Sequence, residues 1–292
     1  MNKGKSKTVS IQGIKGAFHE IAARAYFKNK EIIVVECDTF KDVVNTVKSG
    51  ISGFGIIAIE NSIAGSILPN YKIIQESKLN ITGEIFIPIH QNLMALPGQK
   101  IEDLSEVYSH PMAIQQCEEF FEQHPGIKII ESIDTALSAK KIKEEGIIGR
   151  GAIASKLAAS IYGLDIIAES IETNKRNYTR FLIVEERQAF KSAHISDKID
   201  KSSICFSLTH EFGSLSKVLS VLAFYNLNLT KIQSMPILGK EWEYLFHVDL
   251  VFDNYKRYTQ ALNAIEPLTN HIEILGEYHS YDKVNEIFSN KD

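Results

Sequence analysis

Continuous apolar runs alternate with segments of helical periodicity along the beginning of the chain. The apolar runs are typical of buried strands, and apolar residues that recur every three or four positions are typical of the helices that cover them. The pattern predicts strands at residues 8–12, 31–36 and 54–59 and helices at residues 17–27 and 40–48. Ligands of open α/β sheets gather beyond the carboxyl ends of the strands. Asn61 and Ser62 follow the third strand and are therefore predicted to face a ligand.

A second α/β unit is predicted from about residue 84 to residue 164. Its predicted strands lie at residues 85–96, where Pro88 interrupts the alternation, and at residues 107–108 and 128–130. A strand predicted at residues 165–168 leads back out of the unit. Its predicted helices lie at residues 112–123, 135–143 and 152–162. Gly163 would end the last helix, because glycine adopts the left-handed conformation at little cost.

Residues 187–201 are charged and have no apolar face, which predicts a linker. The following strands are predicted at residues 204–208, 229–236, 244–252 and 271–275, with helices at residues 215–225 and 256–268. This βαββαβ order predicts an antiparallel sheet with two helices on one face. We therefore expect one domain over residues 1–186, the linker, a second domain over residues 202–285 and a tail over residues 286–292.

Composition and charge narrow the possible partners. The 292 residues are 44% hydrophobic, which suffices for two domains with cores, and a net charge of -4 offers no electrostatic footprint for nucleic acid. The sequence shows no signal core and no long apolar span, so a cytoplasmic protein without a membrane partner is expected. Cys37, Cys117 and Cys205 lie far apart in apolar surroundings, and the histidines are scattered. These patterns predict buried thiols, no metal site and no cofactor.

A hydroxyl, a cation and an aromatic ring meet where a polar loop enters an apolar strand. They belong to Thr179, Arg180 and Phe181. Side chains at such a junction can face a cleft while a sheet holds their backbone, which suits a small-molecule site. The alternative is an ordinary strand start with Arg180 in solvent.

The start of a helix offers a second place for a ligand. Ser109 or His110 is predicted to cap this helix, and Gln116 lies about two turns along it. Free N–H groups at a helix start favour an anion, although a plain cap explains the same residues. Gly13 and Gly16 predict a tight turn and a helix start near a carboxylate, and their spacing is too weak a signal for a nucleotide site.

Five motifs occur in order along the chain. They are a glycine motif at residues 12–23, E-N-S-x-x-G-S at 60–66, Ser-His-Pro at 109–111 with Gln-Gln-Cys at 115–117, Asp-Thr-Ala at 134–136 and N-x-T-R-F at 177–181. This set resembles the motifs of prephenate dehydratases, which convert prephenate to phenylpyruvate on the way to phenylalanine. The resemblance implies an α/β fold of two lobes, similar to periplasmic binding proteins, with the second lobe inserted in the first. It also implies a C-terminal βαββαβ regulatory domain of the ACT type.

By resemblance, the polar residues of the active site are Asn61, Ser109, Gln116 and Thr179. Met112 stands where the family commonly has a glutamine, which puts that contact in doubt. The implied reaction removes carbon dioxide and the ring hydroxyl without a cofactor or metal. As a hypothesis, the Thr179 hydroxyl donates a hydrogen bond to the departing oxygen, either directly or by relaying a proton from a better acid. Threonine alone is too weak an acid to give up its proton outright.

Three further residues are candidates for substrate binding. Ser62 follows the strand that carries Asn61, Arg180 holds either a substrate carboxylate or the loop, and Phe181 packs. Glu60 is either a catalytic acid or an ion-pair partner of Arg180, and the structural role is favoured.

The regulatory domains of this family carry a G-A-L and an E-S-R-P motif around a bound amino acid. The corresponding residues here are Gly213, Ser214 and Leu215, and Gln233, Ser234, Met235 and Pro236. The second motif has lost both charges, but the loop glycine and the apolar positions remain. Phenylalanine is therefore the expected regulator, bound between the protomers of a homodimer or homotetramer. A domain that serves dimerisation alone is the alternative.

Two other functions stay open. Arogenate differs from prephenate by an amine in place of the keto group, so an arogenate dehydratase fits the same motifs. A non-catalytic amino-acid sensor could use the same cleft, but the hydroxyl of Thr179 argues against it.

Overall fold

The computed structural model describes residues 7–28, 31–187, 199–237, 239–240 and 243–281. The chain divides into two compact units, residues 1–65 with 85–181 and residues 66–84 with 182–292. The predicted tail and most of the predicted linker lie outside the described residues.

The first lobe is an α/β sheet. Its strands are β1 Lys7–Gln12, β2 Ile32–Cys37, β3 Phe54–Asn61, β4 Gly65–Ser66, β5 Asn80–Pro88 and β11 Tyr178–Glu185, and its helices are α1 Phe18–Phe27 and α2 Phe40–Lys48. The main strands stand in the order β2-β1-β3-β11-β5. β1 pairs in parallel with β2 and with β3, and its Val9 and Ile11 are fully buried. The strands and helices predicted over residues 8–59 are confirmed, with small shifts of their ends.

The second lobe is another α/β sheet, inserted after β5. Its strands are β6 Asn92–Ala95, β7 Glu106–Ser109, β8 Lys128–Glu131, β9 Arg150–Ala154 and β10 Asp165–Ala168, and its helices are α4 Pro111–Gln116, α5 Glu118–Glu122, α6 Thr135–Glu145 and α7 Lys156–Tyr162. The strand order is β10-β6-β9-β7-β8. β10 pairs with β6, so this lobe reaches Ala168 and not residue 164 as predicted. The single strand predicted at residues 85–96 is wrong, because its first part belongs to β5 of the first lobe and its last part forms β6. The inserted two-lobed architecture is confirmed.

The helix predicted at residues 152–162 is wrong in its first part. Residues up to Ala154 form the central strand β9, and α7 begins after Ser155, whose side chain caps it. β9 pairs with β6 on one side and β7 on the other. A Cβ at Gly151 would lie 2.9 Å from Leu104 Cδ1. Strand pairing and close packing therefore override the helical propensity of the alanines.

The helix predicted at residues 112–123 is broken at Cys117, which ends α4 and precedes α5. The carbonyl of Gln116 accepts from the backbone N–H of Thr173 at 2.8 Å. A carbonyl held by a distant segment does not continue the helical ladder, so the helix bends there.

The second unit is built on an antiparallel sheet. Its strands are β12 Lys201–Leu208, β13 Asn228–Pro236, β14 Tyr244–Val251 and β15 His271–Tyr278, and its helices are α3 Leu68–Ser77, α8 Ser214–Phe224 and α9 Tyr255–Ile265. The strands stand in the order β13-β14-β12-β15, and every pair is antiparallel. One core joins the strands to α8 and α9 and contains the fully buried Phe206, Val218 and Tyr258. The predicted βαββαβ order is confirmed.

Two features of this unit are not predicted by the sequence pattern. α3 falls in a segment for which no element was predicted. Lys201 was assigned to the linker, but it is the first residue of β12, and its ammonium group lies 2.8 and 2.9 Å from the carboxylate oxygens of Glu84. Both side chains are buried, with 6% and 0% of their area exposed. A lysine that looks solvated in the sequence is therefore half of an internal ion pair.

Lys201→Ala is expected to lower the free energy of unfolding by about 3 to 5 kcal/mol, because it leaves the buried Glu84 carboxylate without its counter-ion. Urea unfolding followed by circular dichroism measures this loss. The double variant Glu84→Gln/Lys201→Met should recover much of it. Lys156→Ala is the matched control, since Lys156 and its partner Glu169 are 75% and 67% exposed and the expected change is within about 0.5 kcal/mol. Equal losses from the two lysine variants would contradict the prediction.

Candidate active site

The hydroxyl of Thr179 and the amide of Asn61 meet at one edge of the first-lobe sheet. Asn61 is the last residue of β3, and Thr179 is the second residue of β11, the neighbouring strand. The Asn61 Nδ2 atom lies 3.0 Å from Thr179 Oγ1, and each residue is 9% exposed. Two residues predicted separately as site residues are thus in direct contact.

The backbone determines which way this hydrogen bond runs. Asn61 Oδ1 accepts from the N–H groups of Ile63 at 2.9 Å and Ala64 at 3.0 Å. Backbone N–H groups can only donate, so the side-chain atom facing them must be the oxygen, and the NH2 group must face Thr179. The Thr179 oxygen therefore accepts from Asn61. Its own proton remains to be donated elsewhere.

Asn177 and Ser62 complete the polar surroundings. Asn61 Nδ2 also donates to Asn177 Oδ1 at 2.7 Å, and Asn177 is fully buried. Ser62 Oγ accepts from the N–H of Tyr178 at 2.9 Å and donates to the carbonyl of Arg176 at 3.1 Å. Ser62, predicted to bind the substrate, thus braces the backbone that leads to Thr179.

Arg180 and Phe181 are buried, but strand alternation places them on opposite faces of the sheet. Phe181 shares the face of Thr179 and contacts His19 edge to face, with ring centroids 5.0 Å apart. Burial lowers the pKa of His19 to about 4, so its ring is neutral at pH 7. Arg180 lies over the ring of Phe86 and is 4% exposed, so the alternative of a solvated arginine is wrong. The structure brings Phe181 to the side of Thr179 but not Arg180.

The second lobe contributes Ser109 and Gln116 from the end of β7 and the end of α4. Ser109 is fully buried and donates to the carbonyl of Ile153 at 2.7 Å. The cap of α4 is His110, whose Nδ1 accepts from the N–H of Met112 at 3.2 Å. Of the two caps predicted, His110 is therefore the actual one, and Ser109 ties β7 to β9.

Two segments that connect the lobes hold Gln116 in place, and sequence reasoning missed their role. Gln116 Oε1 accepts from Gln91 Nε2 at 3.2 Å. The fully buried Glu172 accepts from the backbone N–H of Gln91 at 2.8 Å and lies 3.0 Å from His90 Nδ1. The sequence signal for this role was an acidic residue, Glu172, in the polar stretch before Thr179. That stretch shows no strand or helix periodicity, so its contacts could not be predicted.

The glycine loop after β1 is a contact between the lobes. The N–H of Gly16 donates to the buried carboxylate of Glu20 at 2.6 Å, and its carbonyl accepts from Ser155 Oγ at 2.6 Å. Gly16 has a φ of +92°, and a Cβ there would lie 2.8 Å from Ala158 Cα. Only glycine allows this approach. The predicted tight turn near a carboxylate is present, and that carboxylate belongs to the protein.

Asp134 caps α6, with its Oδ1 accepting from the N–H of Leu137 at 2.9 Å. Burial raises the pKa of its carboxyl group above the usual value. Burial also raises the pKa of the Cys117 and Cys205 thiols to about 12, so both are protonated at neutral pH. All three cysteines are free and buried, as predicted.

Two further features of the described residues concern metal binding and membrane insertion. Within them, no cluster of three or more His, Cys, Asp and Glu side chains is arranged to hold a metal ion. In the same part of the chain, no helix has the length and apolar character needed to cross a membrane.

The sequence has close relatives of known family. It matches the prephenate dehydratase family model over residues 9–189. It is 37% identical over 285 residues to arogenate dehydratase/prephenate dehydratase 1 of Arabidopsis thaliana, covering 92% of this chain and 71% of that protein.

Two solved structures share the fold. The prephenate dehydratase of Arthrobacter aurescens in complex with L-Phe has a TM-score of 0.84 and 26% identity, covering 94% of this chain and 91% of that one. GqqA, described as a novel type of quorum quenching acylase, has a TM-score of 0.85 and 27% identity, covering 94% of this chain and 99% of that one. The fold alone therefore does not separate two named activities. The family model spans more than half of the chain, including Asn61 and Thr179, and on that ground the chain belongs to the prephenate dehydratase family.

Proposed function

We propose that this protein catalyses the decarboxylating dehydration of prephenate. The substrate dianion and one proton give phenylpyruvate, carbon dioxide and water. The observation that supports this most directly is the Thr179 hydroxyl, whose oxygen accepts from Asn61 and whose proton is left to donate. The family match makes prephenate the first substrate to test.

The reaction needs a donor for the departing oxygen more than it needs a strong base. The ring carboxylate leaves as carbon dioxide, and its bonding electrons enter the ring as the ring C–O bond breaks. The product ring is aromatic, so the step is downhill once the departing oxygen is stabilised. A fixed hydrogen-bond donor aimed at developing negative charge supplies this stabilisation. Thr179 is that donor, and the proton that completes water comes from a stronger acid or from solvent, because a threonine hydroxyl is too weak an acid.

Substrate positioning falls to groups of both lobes. Gln116 is the candidate donor from the second lobe, since a side-chain amide can donate to a carboxylate. The buried Ser109 hydroxyl already donates to the Ile153 carbonyl and therefore supports the end of β7. Arg180 lies on the strand face away from Thr179, which favours its role in holding the strand over contact with a substrate carboxylate. Phe181 is 1% exposed and packs, as expected for a residue that fixes the position of Thr179.

Turnover of prephenate by the purified protein, followed as phenylpyruvate formation without additives, tests the proposal. A parallel assay with arogenate decides between the two substrates, because the relative from Arabidopsis thaliana is named for both. Binding of either substrate without turnover would favour the amino-acid sensor and overturn the enzyme.

Thr179→Val should lower kcat on the order of 100-fold or more, with KM changed by less than about threefold, because valine keeps the shape and removes the donor. Steady-state kinetics with prephenate measures both constants. Thr179→Ser is the matched control, since it keeps a hydroxyl and should keep most of the turnover. A Val variant with near wild-type kcat would remove Thr179 from its role as leaving-group donor.

Regulation by phenylalanine belongs to the same proposal, with the βαββαβ unit as an ACT-type domain. Gly213 has a φ of +75° and directly precedes α8, and Gln233 to Pro236 form the end of β13, an edge strand of its sheet. An edge strand can pair with a second copy, and Phe212 before α8 and Phe224 at its end are strongly exposed, at 103% and 83%. We therefore propose a homodimer or homotetramer with phenylalanine bound between protomers. The L-Phe complex of the Arthrobacter aurescens structure supports this ligand.

Phenylalanine is expected to bind the full-length protein in calorimetry and to inhibit turnover, through higher affinity for a less active state. Gly213→Ala should weaken both effects, because it adds a methyl group at the proposed ligand loop and strains a left-handed position by about 1 to 2 kcal/mol. Gly146→Ala is the matched control, since Gly146 is also left-handed, with a φ of +65° and open space around it, but ends a helix of the second lobe. Absence of phenylalanine binding by the wild type would overturn the regulatory part and leave the catalytic part untouched.

A further inference from the structure

We infer that Asn177 is a positioning residue for the reaction: its side-chain oxygen fixes the amide of Asn61, and through it the direction in which Thr179 donates. This inference rests on the proposed function. Asn177 precedes β11 by one residue and is the first residue of the N-x-T-R-F motif.

The order of donors along this chain of hydrogen bonds begins at the backbone. The N–H groups of Ile63 and Ala64 donate to Asn61 Oδ1, so Asn61 presents its NH2 group on the opposite side. That group lies 2.7 Å from Asn177 Oδ1 and 3.0 Å from Thr179 Oγ1. An NH2 group has two protons in one plane, and a short contact to Asn177 orients one of them. The other proton is then directed at Thr179 or at the nearby carbonyl of Tyr178, 3.1 Å away.

Without Asn177, the Asn61 amide would lose the shortest of these contacts. The amide would keep its contacts to the Ile63 and Ala64 N–H groups but could tilt toward the Tyr178 carbonyl and lengthen its contact to the Thr179 oxygen. Thr179 would be able to turn its own proton toward protein acceptors instead of the substrate.

The second amide atom of Asn177 shows that stability alone does not explain this residue. Asn177 Nδ2 is buried and has no hydrogen-bond partner among the residues that the structure describes. A buried donor without a partner destabilises the fold, and an apolar side chain of equal size would remove that penalty. Asn177 thus carries a costly donor beside the acceptor that contacts Asn61.

Burial also limits what Asn177 can do directly. No part of the residue is exposed, so it does not touch a substrate held in the accessible part of the site. It acts through Asn61 and Thr179, and it is not a catalytic residue itself.

The test is Asn177→Leu, which keeps the size and removes the acceptor, measured with prephenate in the full-length protein. We expect kcat to fall by about 10- to 100-fold with KM changed by less than about threefold, since misplacing one reacting group costs this much. Asn80→Leu is the matched control: Asn80 is also buried, at 6% exposure, and its Nδ2 also has no partner among the described residues, but it begins β5, in the part of that strand that belongs to the second unit. It should leave kcat unchanged.

A double-mutant cycle separates positioning from a general effect on the fold. Combined with Thr179→Val and measured in single turnovers with enzyme in excess, Asn177→Leu should have no further effect on the rate, because its only route to the reaction is already removed. The same fold-loss in both backgrounds would overturn the inference, and so would a folded Asn177→Leu variant with wild-type kcat. Absence of turnover by the wild type would overturn the proposed function instead, and the two failures are distinct.

Discussion

The site depends on a one-way chain of hydrogen bonds that begins at backbone N–H groups and ends at Thr179. The loop after β3 turns so that Ile63 and Ala64 both donate to Asn61 Oδ1, and a backbone amide cannot reverse that role. The direction of the Asn61 bond to Thr179 follows from these two contacts. The Thr179 hydroxyl therefore accepts a hydrogen bond from the protein and can donate its own proton to a ligand. A hydroxyl in isolation would rotate freely. The direction in which the Thr179 hydroxyl can donate is thus determined by the turn that follows a neighbouring strand.

This arrangement requires β3 and β11 to be neighbours, although Asn61 and Thr179 are far apart in sequence. The second lobe is inserted in the sequence between Asn61 and Thr179, and it is held against the first lobe at Gly16. Gly16 packs against Ala158, and Ser155 donates to the Gly16 carbonyl. The connecting segments add the buried Glu172, which binds the backbone of Gln91. The polar groups of both lobes are consequently fixed by buried contacts and are not left to flexible loops, which is what a preorganised site requires.

Much of the fold and part of the site could be predicted from the sequence. Buried strands such as β1 and β3 are continuous apolar runs, and Thr179 is visible because a polar loop enters such a run. The wrong predictions have physical causes. The alanines of β9 favour a helix, but Met94 and Leu104 pack closely at Gly151 and hold the segment in a strand. Lys201 has the sequence surroundings of a solvated residue, but it forms an ion pair with Glu84. Such residues derive their roles from partners distant in sequence, which local periodicity does not report. The partnership between Asn61 and Thr179 is of the same kind.

The loop that carries Asn61 is also the start of the second unit. Gly65 and Ser66 follow it as β4, and within the second unit Lys231 of β13 donates to Ser66 Oγ at 2.7 Å. β13 is the strand that also carries Gln233, one of the proposed contacts to phenylalanine. In the regulation proposed above, a ligand on β13 would act on a strand whose Lys231 contacts Ser66, two residues after the Ala64 N–H that orients Asn61. Because the direction of the hydrogen bond to Thr179 depends on that N–H, regulation of the proposed kind would need no ligand in the cleft.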